Sequence, residues 1–224
     1  MSKIDAFEKR IIEQGLQDED LIEYGKLLGR VRGNYNKRQH CYTTAIQFPE
    51  GKADDAVKLI QYGLNNFDDD WFSTYQSYLY IGKIYEKTGD YKRAFDALLL
   101  ARGVLGDEQE EYIKDISRDL LWMKLHIDKF SYSKEMEKYY LCYSSSNEIS
   151  KSFINNKVVL AIAEIIVFMH QGKIVDAKRA LEEARQICTP GYSGALTEML
   201  LMHNYQERLK LTPEAKEFLD KIDI

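Results

Sequence analysis

An all-α fold of stacked helical hairpins is what this 224-residue chain predicts, on three observations. Apolar residues recur at helical spacing along most of its length. Only three prolines interrupt that pattern, as a long run of helices requires. Short breaks centred on Gly51, Gly89, Phe130 and Gly172 recur at intervals of roughly 40 residues, the sign of one structural unit used again.

The first elements are these. Residues 3–14 place Ile4, Phe7, Ile11 and Ile12 on one helical face, and Gly15 ends that helix. Asp18 opens a second helix over about residues 20–31, with Leu21, Leu27 and Leu28 turned inward. Residues 1–33 thus read as an N-terminal cap, which covers the first exposed apolar face of a stack. A hairpin comes next, with one helix over about Asn36–Phe48 closed by Pro49, and a turn at Gly51. Its second helix starts near Asp54 and carries Ala56, Ile60 and Gly63 in small, large, small order. Asp68, Asp69 and Asp70 before Trp71 are an acidic run at a helix start, where the helix dipole favours negative charge. Capping outweighs a metal site as their role.

The most regular stretch runs from Tyr78 to Ala101. A helix over about Phe72–Lys87 is broken at Thr88-Gly89-Asp90, where Gly89 suits a left-handed C-cap and Asp90 an N-cap. Gly82, Ala94 and Ala101 leave room for close helix approach, while Tyr78, Tyr85, Tyr91 and Leu98 fill the spaces between. Tyr78, Ile81, Gly82 and Tyr85 stand at the W-x2-L-G-x2-Y spacing, and Gly89, Tyr91, Ala94, Leu98 and Ala101 continue the pattern. This segment resembles a tetratricopeptide repeat. The resemblance implies a right-handed α-solenoid of about five hairpins. The spacing between turns is longer than that family's 34 residues, which leaves the curvature open.

The rest is more degenerate. Residues 107–129 read as a helix with Tyr112, Ile116, Leu120, Met123 and Ile127 in one stripe. A break at residues 130–132 precedes a helix to about Tyr143, ending near the small Cys142. Ser144–Ser146 form a loop, and Asn147 is placed to cap the next helix. Residues 157–184 restore the pattern, with Ala161, Ile165 and Phe168 before Gly172, then Ile174, Ala177, Leu181 and Ala184. Pro190 closes the repeats, which occupy residues 34–190 of a single domain. Residues 195–210 and 213–222 make a C-terminal helix pair within 191–224, with Ala215, Phe218 and Leu219 against the body.

Composition narrows the function. At 45% hydrophobic and 12% aromatic residues the chain can bury a core. A net charge of -5 disfavours general nucleic-acid affinity. Cys41, Cys142 and Cys188 are odd in number and widely spaced, which fits a reducing compartment. No signal-peptide pattern or spanning apolar run occurs, so a cytoplasmic, membrane-free protein is expected. Phosphate-loop, dinucleotide and zinc-binding spacings are missing, and Ser131 with Lys134 makes an S-x-x-K by spacing alone. A non-enzymatic protein without cofactor or metal is the expectation.

Binding remains. In tetratricopeptide proteins the first helix of each hairpin lines a groove for a peptide or a partner helix, and the resemblance carries that role to Gln76, Leu79, Lys83, Glu86 and Lys87. The alternative for these residues is an ordinary solvated face. The equivalent positions Val159, Ile162, Ile166 and Met169 are apolar, so that helix is either internal core or a surface for a partner or a second copy. A different class of function attaches to residues 26–49, which hold no Asp or Glu but carry Lys26, Arg30, Arg32, Lys37 and Arg38 beside Tyr35 and His40. These cations either meet carboxylates elsewhere or form a patch for nucleic acid or another acidic partner. A protein- or peptide-binding role, as adaptor, chaperone or toxin-neutralising immunity protein, leads. Nucleic-acid binding through Arg30, Arg32, Lys37 and Arg38 is the alternative.

Overall fold

The computed structural model of the chain describes residues 2–146, 154–187 and 212–222. Among these, eleven α-helices occur and no strand. The expected cap at Asn147, the closing Pro190 and the helix over 195–210 lie outside the described residues. The chain divides into two compact units, Met1–Glu108 and Gln109–Ile224, with the boundary inside what reads from sequence as one run of hairpins.

The first unit holds α1 (Lys3–Gln14), α2 (Asp18–Leu28), α3 (Asn34–Ala45), α4 (Ala53–Asn66), α5 (Trp71–Lys87) and α6 (Tyr91–Val104). α1 starts with a capping box, in which Ser2 and Asp5 satisfy each other's backbone N–H, and ends at Gly15 with φ 98°. α2 and α3 pair with neighbours through fully buried Tyr24, Leu28 and Cys41, joined by Phe7 and Ile11 of α1. α3 ends at Ala45, not Phe48. Phe48 precedes Pro49, whose ring disfavours α backbone there, and the chain leaves through turns and a short 3-10 helix over Glu50–Lys52. α5 then packs on α3, α4 and α6.

The α5–α6 hairpin follows the expected chemistry closely. Asp70 caps α5 by accepting from the Ser73 N–H at 2.9 Å, which gives the acidic run its capping role. Gly89 takes φ 74°, and the Asp90 N–H reaches back to the Tyr85 carbonyl at 3.0 Å. Asp90 then caps α6. A β-carbon on Gly82 would lie 2.8 Å from Leu98 Cδ2, so any larger residue would have to displace the buried Leu98. Ala94, Leu98 and Ala101 are buried as expected.

The second unit holds α7 (Glu110–Ile127), α8 (Lys134–Ser144), α9 (Ile154–His170), α10 (Ile174–Ile187) and α11 (Pro213–Lys221). α9 packs on α7, α8 and α10, and α11 on α10. In α7, Ile116, Leu120 and Met123 are buried, but Tyr112 and Ile127 are exposed: the expected stripe runs past both ends of the core. Ile174 is also exposed, at the first residue of α10. α11 is held by an aromatic clasp. Phe218 stacks on Phe130, and the His126 ring lies between Phe130 and Trp122. His126 Nδ1 faces the Trp122 carbonyl, which only accepts, so Nδ1 carries the hydrogen. Nε2 meets the hydroxyl of Thr212, the N-cap of α11, at 2.8 Å.

Candidate functional site

α5 carries the five residues expected to face a partner. At 100° per residue, Gln76, Leu79, Tyr80, Lys83, Glu86 and Lys87 share one side of the helix. All are half-buried except Lys87, which is exposed and makes no ion pair among the described residues. The neighbouring helix on that side is α3. The Tyr42 ring stacks on Tyr80 at 4.8 Å between centroids, and its hydroxyl donates to Gln76 Oε1 at 3.1 Å. Burial first, then the bonded Tyr35 hydroxyl, raises the Tyr42 phenol well above its usual range, so it remains a neutral donor. Lys83 pairs with Glu86 at 3.2 Å. The structure therefore brings these residues together as a continuous strip, with an aromatic pair on one flank.

The basic stretch divides into two. Arg38 is only 4% exposed and does not belong to a surface patch. Its guanidinium donates to the Phe67 carbonyl and to Thr74 Oγ1 at 2.7 Å, tying α3 to the α4–α5 connection. A buried cation needs such partners, and they come from residues far along the chain. Lys37 lies over the Phe67 ring, and the Asn34 amide donates to the Asp68 carbonyl at 2.6 Å. His40 Nδ1 meets Glu8, which also accepts from Tyr24. Lys26, Arg30 and Arg32 remain exposed, with no ion pair among the described residues. They cluster at the C-terminal end of α2, where the helix dipole favours cations.

The apolar face of α9 is core. Val159, Ile162 and Ile166 are buried and only Met169 is exposed. Glu164 sits among them half-buried and accepts from the Tyr140 hydroxyl at 3.4 Å. Burial, then the nearby Glu183 charge, raises its pKa.

A cleft of about 610 Å³, not expected from the sequence, lies on the other side of α5. Val57 and Leu64 of α4, Tyr78, Ile81 and Tyr85 of α5, and Leu100 of α6 line it. Gln61, Asn65, Arg93 and Asp96 form its polar edge. One signal was available. Leu98, Leu99 and Leu100 are consecutive, and residues 100° apart on a helix cannot all face one core. Leu98 is buried, while Leu100 is 55% exposed at the cleft.

The S-x-x-K spacing gains nothing from the geometry. Ser131 and Lys134 are both exposed, without the shielded surroundings that would lower a lysine pKa. Among the described residues no three His, Cys, Asp or Glu side chains converge as metal ligands. No helix among them is long and apolar enough to cross a membrane. Compared with protein-family models, curated proteins and solved structures, the chain matches none.

Proposed function

We propose that the chain is a non-enzymatic, tetratricopeptide-like stack of helical hairpins that binds a peptide or protein segment across α3 and α5. The observation that carries this reading is the α5 strip itself. Gln76, Leu79, Lys83 and Glu86 are half-buried beside the Tyr42–Tyr80 pair, and Lys87 at its end is an exposed cation with no ion pair among the described residues. Such a strip offers apolar contact, amide bonding and both signs of charge, the mixture that reads an extended or helical peptide. Packing of α5 on both α3 and α4 in the first unit, and of α9 on both α7 and α8 in the second, supports the stacked architecture. An adaptor, a chaperone or a toxin-neutralising immunity protein would each use it.

The test is affinity capture from the native host with the wild type and a Lys83→Glu, Lys87→Glu double variant. A stoichiometric protein partner retained by the first and lost by the second, with unchanged melting temperature, supports the reading. Equal retention by both removes the strip from it.

A second reading has one observation in its favour. Lys26, Arg30 and Arg32 are exposed and unpaired among the described residues, so they are available to phosphates. If nucleic acid is the partner, Arg30→Glu with Arg32→Glu abolishes binding and flattens its salt dependence. Unchanged binding would mark the cluster as helix-end electrostatics alone.

A further inference from the structure

We propose that the α4–α5–α6 cleft is a second binding site, which takes about two turns of an amphipathic, basic helix from a protein partner. Its shape is the first argument. α5 supplies the floor through Tyr78, Ile81 and Tyr85, and α4 and α6 supply walls. The lining residues run over 57–65, 78–85 and 93–100, so the trough extends about 11 Å at 1.5 Å per helical residue. Three tracks of this length suit an inserted helix that places side chains at i, i+3, i+4 and i+7.

Charge selects the sign of the occupant. Among the described residues Arg93 is the one cation lining the cleft, and it is already bracketed. Its guanidinium pairs with Asp90 and with Asp54 at 2.8 Å, and lies 4.3 Å from the Tyr85 ring centre. Asp96 lines the same edge with no hydrogen bond or ion pair among the described residues. Gln61 and Asn65 opposite are uncharged. Asp54 and Asp90, outside the lining, already neutralise Arg93, so Asp96 is the charge at this edge left without a counter-ion among the described residues. A lysine or arginine beside the apolar anchors meets the unpaired Asp96, which adds register and partner choice to the contact.

This site stands apart from the α3–α5 strip, and variants on each side test them separately. The probe is a labelled, acetylated and amidated helix of roughly 14 residues, with leucines at i, i+3, i+4 and i+7 flanked by lysines, titrated against the full chain by anisotropy. Saturable one-to-one binding is expected. Leu100→Asp and Asp96→Lys should each weaken it by about tenfold or more, with the helical CD spectrum unchanged. A probe with glutamates for lysines should bind wild type poorly and recover on Asp96→Lys. Lys83→Glu with Lys87→Glu should leave affinity unaltered. The proposal is overturned by no saturable binding up to about 1 mM. It is equally overturned by indifference to Asp96→Lys, or by loss only in the α3–α5 variant. A dimer that Leu100→Asp dissociates would also overturn it, and assign the cleft to a second copy.

Discussion

The α5–α6 and α7–α8 hairpins turn on the same backbone bond and differ in almost everything around it. The Asp90 N–H bonds the Tyr85 carbonyl in one, and the Phe130 N–H bonds the Leu125 carbonyl at 2.7 Å in the other. That register aligns Gly89 with Lys129, one residue before the Phe130 expected from sequence. Both are left-handed, at φ 74° and 52°. It also aligns Gly82, where Leu98 closes in, with the bulky Trp122. In the first hairpin Asp90 caps the next helix at once. In the second, Phe130 also turns left-handed and spends its ring on Trp122, His126 and Phe218, and the cap waits until Ser133. The turn is the constant. The repeat signature belongs to the small-residue way of seating two helices, and it is missing where the aligned position carries an aromatic ring that clasps α11 instead.

The comparison breaks most sharply at the aligned contact. Gly82→Val should destabilise the first unit by about 3 kcal/mol in urea unfolding, by overpacking against Leu98. Trp122→Gly, which makes the second hairpin imitate the first, should not stabilise it. A loss of about 3 kcal/mol or more is expected, because the aromatic clasp loses its wall. If Trp122→Gly is neutral, the two hairpins are interchangeable after all.

The left-handed residues sharpen it next. Gly89→Ala should cost about 1–2 kcal/mol, and the exposed Lys129→Gly should gain up to about 1 kcal/mol, both read from melting curves. The caps should then behave alike, with Asp90→Ala and Ser133→Ala each costing about 1 kcal/mol. The smallest difference is in pH dependence. The Arg93 backbone N–H, and then its side chain, hold the Asp90 carboxyl below its ordinary value. Its stabilisation is present above about pH 4 and is lost as pH falls through the lowered pKa. Asp90→Asn should therefore flatten the acid limb of the melting temperature. Ser133→Ala, which removes no titrating cap, should leave that limb in place.

Helices and turns were legible because their signals are local. Gly15, Gly89 and Gly172 each carry positive φ where helices stop, and Asp70 and Asp90 cap where they start. The error at the end of α3 was local too, since Pro49 does more than mark a boundary: its restraint on Phe48 ends the helix as far back as Ala45. That Gln76, Leu79, Lys83, Glu86 and Lys87 share one side of α5 was legible, because one helix and a 100° step define it. Burial of Arg38 was not, since its acceptor is the Phe67 carbonyl, 29 residues away in sequence. The cleft was hidden for a similar reason: three helices contribute its walls, and no single periodicity contains it.

Cys41 offers something further. It is buried between α3 and α4, with its sulfur 3.0 Å from where a Gly63 β-carbon would stand, and burial pushes its thiol up to about 12. Almost no thiolate exists there at neutral pH, and no reagent reaches it. Alkylation of Cys41 therefore records moments when those two helices part. The molecule carries its own stopwatch for local opening: maleimide incorporation at this position, followed by mass spectrometry, times the first unit's breathing without any added label site.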